Sequence, residues 1–350
     1  MKVAFSIVIK CCSPGYTYRV APAQEVTGDV DWCLTFNFAD KHNRHQSIQI
    51  NQNQPFLTVP QSDAVYVFYT VLLSASGTGR ITFRGIDMTL MRTSGTLVSG
   101  DQETTLALGD AVHSYYYPGT QSIKPKKLIV TFAGFRAFVR KFELVGAFQK
   151  VGQPFLAFTD FRAHGGAFYM NRFETTAYEE RVKAIILERL SALGLTTDDL
   201  IITGQSMGST AAIYYGALLN AGNVVVTKPI INLGTFTSKG DLAITEGVSW
   251  MFETRRLLTG RVSVMDQDWL NALVTTAVAQ SERKTIYSLF ALLADQYDGD
   301  SIDEFVQSIE TTGQLGEYFW EHGRHTEKSG AATVWLFDQI QNIIQGDDKR

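Results

Sequence analysis

Ser206 is the residue of this chain whose surroundings most directly predict chemistry. It stands between two glycines in the stretch Gly204-Gln205-Ser206-Met207-Gly208, which fits the pattern G-x-S-x-G. That pattern marks a nucleophile elbow, a sharp turn from a strand into a helix that exposes a serine hydroxyl. A strand that only needs a glycine turn before a helix shows the same letters. The interpretation therefore depends on whether the chain also supplies a base and a carboxylate.

The base should be a histidine that follows the serine along the chain. In enzymes built around this elbow, the chain order is serine, then acid, then histidine. Of the six histidines, only His322 and His325 follow Ser206, and both lie in "EHGRHTEKSG", between a short strand and the last helix. We predict His325 as the base because it lies deeper in this loop, after Gly323, and we keep His322 as the alternative. In a non-catalytic interpretation, both are solvent-facing loop residues.

The carboxylate that orients the histidine should follow the strand before that loop. The stretch "ADQYDGDSIDE" offers Asp295, Asp298 and Asp300 directly after an apolar run. We predict Asp295, because a residue at the very end of a strand can reach across to the histidine loop. Asp298 is the alternative acid, although its position before a helix is also typical of an N-cap or turn residue.

Charge that develops on a substrate oxygen needs backbone N–H donors, the oxyanion hole. We predict one donor at Met207, the residue after the nucleophile. The second should follow the strand "KLIVTFAG", at Phe135 or Arg136, where Gly134 lets the backbone approach a substrate.

Two further polar residues fall at the expected ligand-binding edge of the sheet. Asp160 and Arg162 lie in "TDFRAHGGAFY", at the carboxyl end of another predicted strand. Arg162 either holds a carboxylate or phosphate of the substrate or pairs with Asp160 as structure. His164, in the same stretch, is interpreted as a surface residue.

Strands and helices alternate in the second part of the chain. Apolar runs such as "QPFLAFTD", "DDLIITG" and "NVVVTKPIIN" alternate with amphipathic segments such as "YEERVKAIILERLSALG", which ends at Gly194. This order predicts an α/β fold, a mostly parallel sheet with helices on both faces, and with the elbow it predicts an α/β-hydrolase fold. Residues 235–283 are predicted to be a helical cap, in which Trp250, Phe252 and Trp269 either line a sugar site or pack in the core.

The first part of the chain reads as strands. "AVYVFYTVLL" is followed by "SASGTG", which favours a turn, and then by an alternating run whose phase changes at Gly85, which predicts a β-bulge. We predict a small jelly-roll-like β-sandwich at residues 1–122, which binds a carbohydrate or a partner, and a catalytic domain at residues 123–350. Tyr115, Tyr116 and Tyr117 are interpreted as side chains suited to stacking on sugars or to a contact with a partner protein. The start of the chain is predicted to be an edge strand rather than a signal peptide.

Composition narrows the function classes. A formal net charge of −4 gives no sign of a nucleic-acid surface. The three cysteines, Cys11, Cys12 and Cys33, form neither a disulfide framework nor a metal-binding pattern. We expect no metal and no cofactor, and we predict a cytoplasmic protein, peripheral to the membrane only through partners.

Several stretches are more specific than the elbow itself. "TDFRAHGGAFY", "GQSMGSTAAIYYG", "KPIINLG" and "GRH" resemble the second family of accessory secretory proteins of the bacterial accessory Sec system. The resemblance implies an α/β-hydrolase domain with an attached β-sandwich, and export and O-acetylation of serine-rich repeat adhesins that carry N-acetylglucosamine. It also implies partners among the other accessory Sec components. Ser206, Asp295 and His325 match the family's serine, acid and histidine, while Gln205 and the N-terminal part depart from its pattern.

Together these observations predict a serine-dependent acyltransferase that acts on a glycan or glycoprotein, with an unidentified acyl donor. The alternatives are a carbohydrate esterase or deacetylase with the same residues, or a protein of polysaccharide biosynthesis. A non-catalytic assembly subunit is an alternative of another class.

Overall fold

The computed structural model describes most of the chain and divides it into two compact units. The described residues are all except 1, 11–15, 40–44, 55, 59–65, 93–100, 107–109, 136–141, 164–165, 239–248, 261–265, 283, 298 and 347–350. The first unit comprises Met1–Thr96, Ala137–Val139 and Phe161–Gly165, and the second comprises Leu97–Arg136, Arg140–Asp160 and Gly166–Arg350.

The first unit is built on one antiparallel sheet. Its strands are β1 (Lys2–Lys10), β2 (Tyr16–Ala39), β3 (His45–Asn51), β4 (Leu57–Thr58) and β5 (Tyr66–Arg92). Their order is β1-β5-β2-β3, with β4 also paired to β2. The predicted edge strand at the start of the chain is confirmed, because β1 lies at the end of this order. Trp32, Leu34 and Phe36 are buried at every second position of β2, so this sheet buries one face.

Three predictions about the first unit have different outcomes. The bulge at Gly85 is confirmed, because the register between β2 and β5 shifts where Ala23 pairs with Gly85 and Gln24 pairs with Phe83. The turn at "SASGTG" is wrong, because β5 continues through it. Its Gly79 meets β2 so closely that a Cβ would lie 2.2 Å from the carbonyl oxygen of Thr27. The described residues of this unit form one sheet rather than the two packed sheets of the predicted sandwich.

The second unit is built on an eight-stranded sheet that confirms the predicted α/β-hydrolase fold. Its order is β13-β12-β11-β10-β8-β9-β7-β6. Strands β8 to β13 pair in parallel, while β7 pairs antiparallel with both β9 and β6. The strands are β6 (Asp101–Thr105), β7 (Ala111–Tyr117), β8 (Leu128–Phe132), β9 (Phe155–Thr159), β10 (Leu200–Gln205), β11 (Asn223–Thr227), β12 (Ile286–Leu292) and β13 (Leu315–Glu321).

Helices connect these strands. They are α1 (Val145–Val151), α2 (Ala177–Leu193), α3 (Met207–Leu219), α4 (Leu233–Ser238), α5 (Ser249–Thr259), α6 (Gln267–Gln280), α7 (Gly299–Thr311) and α8 (Ser329–Gly346). Every residue of β8 and β9 is buried, as expected for strands covered on both faces. Among the helices that the structure describes, none combines the length and apolar character needed to cross a bilayer.

Two helices test the predicted apolar faces. For α2 the spacing predicts a face formed by Val182, Ile185, Ile186, Leu190 and Leu193. The first four are buried, and Gly194 caps the helix in the left-handed conformation. For α8 the spacing of apolar residues predicts a face formed by Val334, Phe337, Ile340 and Ile344, and the observed face is displaced from it. Val334 is 62% exposed, and the buried positions are Ala332, Leu336 and Ile340, one every four residues along the helix.

The structure divides the chain at a different place from residue 122. Strands β6 and β7 belong to the large sheet, because β7 pairs with β9 from His113–Thr159 to Tyr117–Phe155. Tyr115 and Tyr117 pack against Phe155, with ring centroids 5.8 and 5.3 Å away, and do not stand free for sugar stacking. Between β11 and β12 the structure places α4, α5 and α6, and their role as a cap stays a prediction.

Candidate active site

The turn between β10 and α3 has the backbone geometry of a nucleophile elbow. Ser206 stands between the end of β10 and the start of α3, with φ 55° and ψ −122°. A positive φ is unfavourable for a residue with a side chain, so this conformation persists only where the surrounding structure holds it. Here the Ser206 N–H donates to the carbonyl oxygen of Thr227 at 3.0 Å, on the neighbouring strand β11.

The two glycines of the motif are needed because backbones meet there. A Cβ on Gly204 would lie 2.3 Å from the carbonyl group of Gly208, and a Cβ on Gly208 would lie 2.0 Å from the carbonyl oxygen of Phe132. A Cβ atom in a folded protein essentially never lies within 3.0 Å of such a backbone atom. The glycines therefore let α3 start directly against β8 and β10, which fixes where the serine stands.

Ser206, His325 and Asp295 form a continuous hydrogen-bonded relay. Nε2 of His325 lies 2.6 Å from Oγ of Ser206, and Nδ1 lies 2.6 Å from Oδ2 of Asp295. An ionised carboxylate only accepts hydrogen bonds, so we assign the ring proton to Nδ1, which leaves Nε2 free to accept from the serine. The side chains of His325 and Asp295 are 7% and 4% exposed, and this burial strengthens the electrostatic interaction between them.

The loops that carry the acid and the histidine are tied to each other. Asp295 directly follows the turn after β12, and its Oδ1 accepts a hydrogen bond from the N–H of Tyr297 at 2.9 Å. The N–H of His325 donates to Oε1 of Gln296 at 3.1 Å. The ring of Tyr297 lies 4.7 Å from the ring of His325. These contacts hold the imidazole in the orientation that the relay needs.

The structure brings together the residues that the sequence ranked first. His325 contacts Ser206, whereas the alternative base His322 is exposed to solvent. Asp295 contacts His325, and the alternative acid Asp298 lies outside the described residues. The assignment of catalytic roles to these three side chains is a proposal, argued below.

A cavity of about 440 Å³ opens at the relay. This volume lies within the range of small-molecule sites. Its walls combine apolar side chains with a few polar ones: Gly134, Phe135, Glu143, Phe168, Gln205, Ser206, Met207, Lys228, Ile230, Phe236, Tyr297, His325, Thr326 and Ser329.

Both predicted oxyanion donors border this cavity. Met207 is the first residue of α3, and the first N–H groups of a helix have no partner within the helix and lie at its positive end. In the loop after β8, the N–H of Gly134 donates to Oε2 of Glu143 at 2.6 Å. That N–H is therefore engaged, and the second donor is predicted at the next amide, Phe135. The alternative, Arg136, lies outside the described residues.

The remaining predicted site residues have other surroundings. Oδ2 of Asp160 accepts hydrogen bonds from the N–H groups of Ala167 and Tyr169, at 2.9 and 3.0 Å. Asp160 thus holds the loop after β9 within the second unit. Arg162 is buried and falls in the first unit, so its contact with a substrate stays a prediction.

Among the aromatic residues predicted to line a sugar site or pack in the core, only Trp269 has a side chain that the structure describes. Trp269 on α6 is 54% exposed and is not a core residue. The structure does not describe His164 or the side chains of Trp250 and Phe252.

Several polar residues of the cavity were not predicted as site residues from the sequence. Glu143 has no motif of its own, and Gln205 lies within the elbow motif but was noted only as a departure from the family pattern. Lys228 follows β11 directly in "KPIINLG", and this position at the carboxyl end of a strand was the available signal. Lys228 is 6% exposed and has φ 53°. Its Nζ donates to Oγ of Ser329 at 2.9 Å.

The fold and this geometry define the class: the second unit is an α/β-hydrolase domain with a serine at its nucleophile elbow. The family described as the accessory Sec system GspB-transporter matches residues 10–350, so the chain belongs to that family. The resemblance noted from the sequence is confirmed.

Two curated relatives, from two bacteria, are each named as the second of the accessory Sec system proteins. The protein of Streptococcus gordonii is 29% identical over 282 residues, which are 79% of this chain and 54% of the relative. That of Staphylococcus aureus is 30% identical over 234 residues, 67% of this chain and 43% of the relative. The chain thus spans about half the length of the curated relatives it matches.

Solved structures agree on the fold. A chain of the Glycosylation Associate Protein (Gap123) complex of Streptococcus agalactiae matches with a TM-score of 0.72 and 25% identity, over 97% of this chain and 65% of that one. The capsule O-acetyltransferase of Neisseria meningitidis serogroup A matches with a TM-score of 0.53 and 17% identity, over 72% of this chain and 97% of that one. At that identity the second likeness shows the fold alone.

Proposed function

We propose that this protein is a serine-dependent acyltransferase that acetylates a glycan or glycoprotein within an accessory Sec system. The observation that carries the proposal is the relay from Ser206 through His325 to Asp295, with both links at 2.6 Å, beside a cavity that Ser206 and His325 line. Two 2.6 Å links that end at an elbow serine are the arrangement that activates a hydroxyl for attack on an acyl carbonyl.

Acylation follows from this geometry. Oγ of Ser206 attacks the carbonyl carbon of the acyl donor while Nε2 of His325 takes its proton. Asp295 stabilises the imidazolium that forms. The N–H groups of Met207 and Phe135 hold the negative oxygen of the tetrahedral intermediate, and loss of one such donor typically lowers the rate about 10²–10³-fold. The intermediate collapses as His325 returns the proton to the leaving group, and an acyl-serine remains.

The second half of the reaction decides between transfer and hydrolysis. A sugar hydroxyl loses its proton to Nε2 of His325 and attacks the acyl-serine, which yields an O-acyl sugar and the free serine. Attack by water through the same groups gives an esterase or deacetylase, the alternative function. The two outcomes differ in how well the cavity excludes water when the acceptor is bound.

Family membership supports the biological setting of the proposal. The chain belongs to an accessory Sec family, which supports an exported glycoprotein as the proposed acceptor; N-acetylglucosamine as the acceptor sugar is what the sequence resemblance implies. The likeness to a chain of the Gap123 complex supports association with other accessory Sec components. The fold shared with a capsule O-acetyltransferase is compatible with transfer. A cytoplasmic location and a role in polysaccharide biosynthesis stay predictions.

Intact-protein mass spectrometry after exposure to a fluorophosphonate probe tests the proposal. We expect one adduct, mapped to Ser206, and none in Ser206→Ala. The control is Ser191→Ala, at an exposed serine on α2, which should label like the wild type. Release of p-nitrophenol from p-nitrophenyl acetate should follow the same pattern. An unlabelled wild type without esterase activity would favour the non-catalytic assembly subunit.

Transfer and hydrolysis are separated by adding an acceptor. With p-nitrophenyl acetate as donor and N-acetylglucosamine or its oligomers as acceptor, a transferase forms acetylated sugar, detected by mass spectrometry. Free acetate alone, at every acceptor concentration, would identify the protein as an esterase.

A further inference from the structure

The loop Ala133–Phe135, which follows β8 and carries the proposed oxyanion donor Phe135, is held from two sides by buried side chains. Oε2 of Glu143 accepts a hydrogen bond from the N–H of Gly134 at 2.6 Å. On the preceding residue, the carbonyl oxygen of Ala133 accepts from the hydroxyl of Tyr169 at 2.8 Å. The peptide unit that joins Ala133 to Gly134 is thus held at its N–H by Glu143 and at its carbonyl oxygen by Tyr169.

Glu143 is an unusual residue for this place. It is 7% exposed, and it lines the same cavity as Ser206. A hydrogen bond from an N–H to a carboxylate is about twice as strong as one to a neutral acceptor. By engaging Gly134, the carboxylate fixes the peptide plane that immediately precedes the N–H of Phe135.

Tyr169 makes three further hydrogen bonds within the second unit. Its hydroxyl also donates to the carbonyl oxygen of Phe158 at 3.2 Å, while its own N–H donates to Asp160. Its carbonyl oxygen accepts from the hydroxyl of Tyr215 at 2.7 Å. Burial, and next the charge of Asp160, raise the pKa of Tyr169 well above its usual value, so the phenol keeps its proton and remains a donor.

We infer that Glu143 and Tyr169 are positioning residues that fix the Ala133–Phe135 loop so that the N–H of Phe135 meets the transition-state oxygen. The inference rests on the proposed acyl transfer at Ser206 and adds two side chains that act through the backbone. Asp160, predicted from the sequence as a substrate contact, acts indirectly, because its carboxylate accepts a hydrogen bond from the N–H of Tyr169.

Graded substitutions at Glu143 distinguish this role from others. Glutamine keeps an oxygen that accepts from Gly134, whereas alanine removes it. With p-nitrophenyl acetate, we expect Glu143→Ala to lower kcat about 10- to 100-fold with little change in KM, because the donor is displaced rather than lost. Glu143→Gln should recover most of that loss. Equal losses in both variants would show that the charge acts directly, and would overturn the inference.

Tyr169→Phe provides an independent variant. It removes only the hydroxyl, and we expect kcat to fall about 10-fold. The matched control is Tyr287→Phe, at a tyrosine equally buried on β12, which should keep wild-type kcat. Melting temperatures are measured for every variant, and if Glu143→Ala does not fold, Glu143→Gln and Tyr169→Phe carry the test.

A trifluoromethyl ketone supplies a readout that a merely structural role does not move. The probe 1,1,1-trifluoroacetone adds to the serine and places a negative oxygen where the transition state has one. We expect its Ki to rise in each variant by the same factor by which kcat/KM falls. Unchanged Ki values, or wild-type kcat in both Glu143→Ala and Tyr169→Phe, would overturn the inference while leaving the proposed function standing. A wild type that neither labels nor hydrolyses the ester would overturn both.

Discussion

Asp295 divides its two carboxylate oxygens between two partners, with Oδ2 lying 2.6 Å from Nδ1 of His325 and Oδ1 accepting from the N–H of Tyr297. The backbone contact restrains the carboxylate independently of the imidazole. The acid is therefore held in one orientation and in turn holds the ring of His325. This arrangement makes the loss of the charge more informative than the loss of the whole side chain.

We predict that Asp295→Asn lowers the rate of ester hydrolysis about 10⁴-fold, the loss known for the equivalent change in serine proteases. The amide keeps the shape of the side chain but favours the wrong ring tautomer of His325. The control is Asp298→Asn, at the alternative acid, whose position before a helix is also typical of an N-cap or turn residue; this variant should lose little activity. Rates are measured with p-nitrophenyl acetate, and the reverse order of effects would move the acid to Asp298.

Gly208 should tolerate no side chain at all. In Gly208→Ala the new Cβ would meet the backbone of Phe132, at 2.0 Å from its oxygen, so β8 or α3 must shift. We expect a loss of about 3 kcal/mol in the free energy of unfolding, the upper range for overpacking, together with loss of activity. The control is Gly330→Ala on α8, where a Cβ meets nothing within 4 Å. Urea unfolding of both variants is the measurement, and equal midpoints would contradict the prediction.

Lys228 and Ser329 connect the end of β11 to the start of α8, the helix that follows the His325 loop. Their hydrogen bond involves a charged donor, a type that contributes about 1.5–3 kcal/mol. Ser329 is exposed to solvent, so we expect the lower end of that range, a coupling of about 1.5 kcal/mol. A double-mutant cycle with Lys228→Met and Ser329→Ala, followed by thermal unfolding, measures the coupling. Strictly additive effects would show that the contact contributes nothing.

The sequence predicted the proximity of Ser206, His325 and Asp295 better than it predicted the strand pairing of the N-terminal part. Ser206 follows from a motif, and Asp295 and His325 follow from their order along the chain. Both signals are visible in a single sequence. Glu143 and Tyr169 follow from neither, because they act on Ala133 and Gly134 through hydrogen bonds that only the folded chain creates. Residues that act through the backbone carry no pattern of their own in a single sequence.

The errors in the first part of the chain have a related cause. Glycines in "SASGTG" favour a turn locally, but Gly79 instead allows the close approach of β2, a contact between residues distant in sequence. The sequences of β6 and β7 have the same strand-like pattern as those of the preceding strands. Nothing in their composition indicates that β7 pairs with β9. Strand pairing is decided by the partner, which local patterns do not identify.

The pairing of β7 with β9 leads to a last prediction, about where the chain can be shortened. A truncation that begins at residue 97 keeps β6 and β7, whereas one that begins at residue 125 removes both. The shorter protein exposes the edge of β9 and uncovers Phe155, which packs against Tyr115 and Tyr117. Unpaired edges and exposed apolar surface promote aggregation.

We therefore expect the protein that begins at residue 97 to be the more soluble one and to hydrolyse p-nitrophenyl acetate, since it retains Ser206, Asp295 and His325. It should lose activity on a glycosylated protein acceptor if the first unit selects that acceptor, as the sequence predicts. Size-exclusion chromatography compares the two truncations, and assays with both substrates compare the longer one with the full chain. Equal solubility of the two truncations would show that β7 is dispensable for the sheet. Full activity of the longer one on the glycoprotein would show that the first unit does not choose the acceptor.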